Sequence, residues 1–221
     1  MIAFGVAITD RATYERFALP GIERASEPDS RVLTRTGLPI HRAYNEIIDE
    51  VAAEPDLKAL VLLHQDFELT DDSLPRRVRG LFGDPCAGLA GSLGARNVTL
   101  HLWLSSRELY GTVVAPGIDR RFSSRPREVE GVDGALLVLA PWVVRGLHFS
   151  DVGVDGFHGY DVDIAMRVRA HGGKVLCDDI PHFHHREPKD DYDAQRLAGI
   201  ALAKMWDPAL RPREWTSAFQ S

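Results

Sequence analysis

The stretch Ile40–Asp66 reads IHRAYNEIIDEVAAEPDLKALVLLHQD, and its reading decides the fold. Ile40, Tyr44, Ile47, Ile48 and Val51 recur at helical spacing, with Arg42, Glu46, Asp49 and Glu50 on other faces. That pattern predicts an amphipathic helix, ended near Pro55. Ala59–Leu63 is short and wholly apolar, which suits a strand covered on both faces. Ile2–Ile8 has the same character, Arg31–Thr34 is a weaker strand, and Arg11–Phe17 reads as a helix interrupted by Pro20-Gly21. Strand, helix, strand, helix, strand is the alternation of an α/β domain with a mostly parallel sheet flanked by helices. Such sheets bind ligands beyond the carboxyl ends of their strands. Asp10 and Asp66, each just past a strand, therefore fall where a site is expected.

Further along, Thr70–Phe82 reads as a helix and Cys86–Ser92 as a strand with glycines for close approach. Val98–Leu104 and Leu109–Val114 read as two more strands. Ala115–Glu128, with Arg120, Arg121, Arg125 and Arg127, has no regular pattern and is expected to be a loop. Ala135–Leu139 is a strong strand, and Pro141 opens a short helix. Nothing repeats and no low-complexity linker divides the chain, so a single domain over residues 1–221 is expected.

Composition narrows the function classes. A net charge of −6, with scattered arginines, argues against a nucleic-acid-binding face. No apolar run approaches membrane-spanning length and no basic segment opens the chain, so no transmembrane segment or signal peptide is expected. Cys86 and Cys177 lie far apart in apolar runs, which fits two buried thiols in a reducing compartment, hence a cytoplasmic protein. Peripheral attachment to a membrane and a homodimer stay open.

Chemistry-bearing residues concentrate in Gly153–His185. A turn, Gly156-Phe-His158-Gly159-Tyr160-Asp161-Val-Asp163, enters a helix ended by Gly172-Gly173; Lys174–Cys177 is a short strand, and Pro181-His182-Phe-His184-His185 follows. Acids in a first turn commonly favour the helix dipole, and Asp163 reads that way. Asp161, at the mouth of the helix, is the cleft candidate. In an extended segment His182 and His184 share one face and His185 takes the other. Imidazoles of this kind suit Mn²⁺ or Zn²⁺ better than Mg²⁺. A three-histidine zinc hydrolase is the rival reading, although the spacing of two histidines one helical turn apart is absent.

Taken in order, several pieces make the chain resemble a family-2-like glycosyltransferase of the GT-A fold. They are the first strand ending in Thr9-Asp10, Ala43-Tyr44-Asn45-Glu46, Leu62-Leu63-His64-Gln65-Asp66, Val132-Asp133-Gly134, and Gly156–Asp163 with Arg167, Arg169 and His184-His185. The subgroup with a Leu-His-Gln-Asp version of the family's Asp-x-Asp motif is most similar. The resemblance implies a GT-A-like (Rossmann-like) mixed, mostly parallel sheet. It implies a nucleotide-sugar-binding half over residues 1–92, an acceptor and catalytic half over 93–186, and a helical tail over 187–221.

The resemblance also implies roles. Asp66 and His184 hold a divalent metal, Mn²⁺ or Mg²⁺. Thr9, Asp10, Asn45, Gln65 and Asp66 bind the nucleotide-sugar donor. Asp161 is the catalytic base, and Asp133 and Tyr160 lie on the acceptor side. The implied activity is inverting, metal-dependent transfer of a hexosyl-type sugar (EC 2.4) to a hydroxyl of a glycan, a lipid-linked or a small-molecule acceptor. Three positions depart from the family pattern: His64 stands for the first acid of Asp-x-Asp, Arg35 for an acid after the second strand, and Tyr160 for the Glu before the base. The departures keep a second reading in view, a non-catalytic protein that binds a nucleotide sugar or another protein on the same fold.

Overall fold

A computed structural model describes residues 1–97, 106–123, 125–150, 157–186 and 192–206. Its centre is a seven-stranded mixed sheet built on β1 (Ile2–Ile8), β2 (Arg31–Thr36) and β3 (Ala59–His64). The sheet continues through β5 (Ala87–Gly91), β9 (Arg127–Val129), β11 (Leu136–Leu139) and β12 (Lys174–Cys177). The strand order is β2-β1-β3-β11-β5-β12-β9. β1 runs parallel to β2 and β3, and β12 parallel to β5. β11 runs against both β3 and β5, and β9 against β12. Five strands thus share one direction, as expected for a mixed, mostly parallel sheet. The antiparallel β11 has a consequence for function: it starts beside the carboxyl end of β3, with Leu136 opposite Leu63.

Strand residues alternate between two apolar layers, because successive side chains point to opposite faces. Ala3, Leu60, Leu62, Leu137 and Leu139 pack under α2 (Ile40–Val51), α4 (Pro141–Gly146) and α5 (Tyr160–Ala170). Ile2, Phe4, Val6, Val61, Leu63 and Val138 pack under α1 (residues 11–25) and α3 (Leu74–Leu81). The final helix α6 (Tyr192–Trp206) adds Leu202 and Trp206 to the first layer.

Several local expectations change. Pro20 does not interrupt α1, which runs on to Ala25. The turns before the proline are π-helical over Tyr14–Ala18, with the Leu19 amide donating to the Tyr14 carbonyl. The wider π turn shifts the hydrogen-bond register just where the proline lacks an N–H. α3 starts at Leu74, because Asp71 turns back to accept from the Ser73 amide and hydroxyl. The arginine-rich stretch is not one loop: β8 (Ile118–Arg121) forms a hairpin with β7 (Glu108–Ala115), and β9 is the edge of the main sheet. β7 pairs on its other side with β6 (Leu93–Arg96), a strand the sequence reading missed, and β6 pairs in turn with β10 (Gly131–Val132). The expected strand at Val98–Leu104 lies outside the described residues. Cys177 is buried as expected, but Cys86 is exposed.

Candidate functional site

The carboxyl end of β3 supplies His64, and the turn after it supplies Gln65 and Asp66. Gln65 fastens the ends of β1 and β3 together. Its Oε1 accepts from the amides of Thr9 and Asp10 at 2.8 and 2.9 Å, and its Nε2 donates to the Thr9 hydroxyl at 3.0 Å. His64 is buried. Burial and the neighbouring His184 push its imidazole down to about 4, so it is neutral at neutral pH, the form in which an imidazole binds a metal.

His184 reaches this point through a two-stranded ribbon. β4 (Phe67–Leu69) pairs antiparallel with β13 (His182–His184), placing His184 opposite Phe67. The His185 amide extends the ladder by donating to the Asp66 carbonyl at 2.8 Å. His184 Nε2 lies 3.3 Å from Asp66 Oδ1, yet it is buried and makes no hydrogen bond. Burial opposes ionisation of Asp66, but the contact with His184 outweighs it and holds the carboxyl below its ordinary range.

The other two histidines do different work. His182 stacks on Phe67, donates through Nδ1 to the Ile180 carbonyl at 2.7 Å, and accepts the Val114 amide. His185 stacks on Phe17 and bonds Glu68 at 2.9 Å. Among the described residues no three-histidine set forms. The group with ligand atoms within 4.8 Å of one another is His64, Asp66 and His184. Two imidazoles, one of them with a buried nitrogen that makes no hydrogen bond, and one carboxylate fit a divalent cation. His64 therefore joins the expected ligands; its place as the odd member of an Asp-x-Asp pattern had masked it.

The antiparallel start of β11 and the mouth of α5 form the neighbouring part. The His64 amide donates to the Ala135 carbonyl, so the preceding Asp133-Gly134 turn lies beside His64. One peptide unit serves two side chains. The Gly134 amide donates to Asp161 Oδ2 at 3.2 Å, and the Gly134 carbonyl accepts the Tyr160 hydroxyl at 2.9 Å. Gly159, in a left-handed conformation at φ 89°, turns the chain into α5 and aims Tyr160 and Asp161 at this peptide. Asp161 Oδ1 also accepts the Val162 amide. Burial and the repulsion of Asp133 raise Asp161 to about 7, the range in which a carboxylate can serve as a general base. Asp133 itself accepts the Ala135 amide at 2.8 Å.

A cleft of about 760 Å³ opens beside His64 and Asp66. Thr9, Thr13, His64, Gln65, Asp66, His158, His185 and Arg186 give it polar walls, and Ala7, Phe17, Leu38, Pro39, Ile40 and Phe157 apolar ones. Not every expected residue reaches it. Asp10 caps α1, accepting the Ala12 amide and the Thr13 hydroxyl. Asn45 clamps the backbone of Phe149, giving its amide to the carbonyl and accepting the N–H. Asp133, Tyr160 and Asp161 adjoin His64 but do not line the cleft. Arg35 is held by Glu46 and Glu50 at 2.8 and 2.7 Å. The β7–β8 hairpin contributes none of the lining, and Arg121 pairs with Asp179 instead. The cleft arginine is Arg186, next to the histidines.

The family model described as "Glycosyltransferase like family" matches residues 8–193. The streptomycin biosynthesis protein StrF of Streptomyces griseus is 35% identical over 191 residues, which cover 85% of this chain and 67% of that protein. Two solved structures share the fold at low identity. GalNAc-T7 with UDP, GalNAc and Mn²⁺ superposes with a TM-score of 0.57 at 10% identity, over 86% of this chain and 44% of that one. The mannosyltransferase PcManGT from Pyrobaculum calidifontis, in complex with GDP-Man and Mn²⁺, gives 0.51 at 14% identity, over 92% and 61%.

Proposed function

The chain belongs to this glycosyltransferase-like family, and from that premise we propose that it moves a sugar from a nucleotide-diphosphate donor to an acceptor hydroxyl, with inversion and with a divalent cation bound. The observation that carries the proposal is the group His64, Asp66 and His184, with a buried His184 nitrogen that has no hydrogen bond. Two fold neighbours were solved with Mn²⁺ and a nucleotide or nucleotide sugar, which supports the same use of this cleft. Two imidazoles in the set favour Mn²⁺ over Mg²⁺.

In this reading the donor lies in the cleft, its diphosphate toward Asp66 and Arg186 and its nucleoside along Thr9 and the apolar wall of Leu38, Pro39 and Ile40. The acceptor approaches from the side of Asp133 and Asp161. Asp161 takes the proton from the acceptor hydroxyl as its oxygen bonds to the anomeric carbon. The bond from that carbon to the diphosphate oxygen breaks, and its electron pair leaves with the nucleoside diphosphate. A cation held by His64, Asp66 and His184 would offset the charge developing on that leaving group. Arg186 adds a second positive charge on the same side.

Calorimetric titration with Mn²⁺ and a panel of nucleotide sugars, followed by transfer assays, tests the reading. Asp161→Asn should lower transfer by at least about 10²-fold while leaving donor affinity within about twofold, as expected for loss of a general base. Full activity in that variant would remove Asp161 as the base. Donor binding without turnover on any acceptor would favour a binding role.

A further inference from the structure

Two departures from the family pattern, His64 and Tyr160, meet in the structure. The Tyr160 hydroxyl lies 2.6 Å from His64 Nε2 and 2.9 Å from the Gly134 carbonyl oxygen. Tyr160 and His64 are both buried. We propose that Tyr160 is a positioning residue for the metal site: it fixes His64 as the Nε2–H tautomer, so that Nδ1 carries the lone pair offered to the cation. The inference rests on the reading that His64, Asp66 and His184 hold a divalent metal.

The tautomer follows from the number of protons at hand. A tyrosine hydroxyl has one hydrogen, and a carbonyl oxygen can only accept. Both contacts are hydrogen bonds only if the hydroxyl donates to Gly134 and receives Nε2–H from His64. The other tautomer would set the imidazole lone pair and the carbonyl lone pair against the same single proton. One of two short, buried contacts would then go unsatisfied, a costly outcome where water cannot compensate.

Gly134 makes the arrangement possible. A Cβ at this position would stand 2.4 Å from the Tyr160 hydroxyl oxygen, closer than any side chain tolerates. The imidazole is also held by Phe157, whose ring centroid lies 5.0 Å away. Metal-binding histidines are generally oriented by a partner on the second ring nitrogen, and losing that partner typically weakens metal affinity 10- to 100-fold. An acid at position 64 would need no such partner, since a carboxylate has no tautomer to choose. An imidazole does. The two departures therefore form one matched exchange: a histidine enters the ligand set, and a tyrosine enters the neighbouring helix to orient it.

The test is Mn²⁺ affinity by calorimetry in the wild type, Tyr160→Phe, His64→Ala and the double variant, with no substrate present. Tyr160→Phe should weaken Mn²⁺ binding about 10- to 100-fold. Added to His64→Ala, it should cost nothing more, because its effect passes through the imidazole. Wild-type affinity in Tyr160→Phe would overturn the positioning role and leave the metal reading standing. So would an equal further loss on top of His64→Ala. No Mn²⁺ binding by the wild type would overturn the metal reading itself. If Tyr160→Phe does not fold, ¹⁵N-imidazole spectra of the metal-free wild type decide: Nε2–H at His64 supports the proposal, and Nδ1–H overturns it.

Discussion

At the scale of single residues, Asp161 shows how environment retunes an acid. Asp161, enclosed and facing Asp133, is raised to about 7 against an ordinary value of 3.8. As a base it must be ionised, so transfer should rise with pH through about 7 and level off above it. Stability moves the other way. Between about pH 4 and 7 the native protein keeps a proton on Asp161 that the unfolded chain has already lost, so this group's contribution falls as pH rises. At about 1.4 kcal/mol per pK unit, reduced for the solvent that still reaches the carboxyl, the loss is on the order of 2 kcal/mol. Denaturation at pH 5 and pH 8 should show that Asp161→Asn loses this part of the pH dependence; identical slopes would mean an ordinary carboxyl. The candidacy of Asp161 was legible in the sequence because it sits at the mouth of a helix in a glycine-rich turn. The choice among His182, His184 and His185 was not, because it depends on which histidine lies across from Phe67.

At the scale of elements, the site is made by two short pieces that sequence periodicity hardly marks. The β4–β13 ribbon is three residues on each side, too short for an alternation to stand out. It nevertheless carries His184 over the end of β3. The Asp133-Gly134 turn is the second piece, and its glycine was read only as part of a family pattern. Its necessity is a matter of packing. Gly134→Ala would press a methyl group into the Tyr160 ring, with the phenol carbon Cζ at 2.6 Å and the hydroxyl nearer still. Overpacking of this kind costs about 1–3 kcal/mol. The variant should lose stability by that amount and also lose Mn²⁺ affinity, since the ring cannot retreat without releasing His64. Chemical denaturation and calorimetry on the same preparation check both effects. A stability loss with unchanged Mn²⁺ binding would separate the turn from the metal site. By contrast β1, α2, β3 and β11 were plain from their runs, because burial on both faces or on one helical stripe leaves a long apolar signature. β8 carried the opposite signature: it is fully exposed, so its arginines resembled a loop.

At the scale of the whole molecule, α5 joins the sheet, the Gly134 turn and the last helix, and its two acids divide that labour. Asp163 lies in the first turn of α5, where it was expected to favour the helix dipole, and it is also a buried junction. Its carboxylate accepts the Ser150 amide at 3.0 Å, Arg167 Nε at 2.8 Å and Trp206 Nε1 at 3.1 Å. Trp206 closes α6, so this one carboxylate ties the end of the described chain to the core. No sequence spacing reports a contact over 43 residues. The candidacy of Asp161 was legible, whereas the architectural weight of Asp163 was not. The two substitutions should therefore differ in kind. Asp163→Ala leaves the Arg167 guanidinium without its buried partner, a change that costs about 3–5 kcal/mol for such pairs. It should lower the unfolding midpoint sharply, while the rise of activity with pH stays centred near 7 in the protein that remains folded. Asp161→Asn should abolish transfer with little change in the unfolding midpoint at pH 5, where the wild-type carboxyl is already protonated. If Asp163→Ala moved the pH profile without unfolding the protein, the two acids would act as one unit. Arg167 and Trp206 would then belong to the catalytic electrostatics rather than to the frame that holds α5 in place.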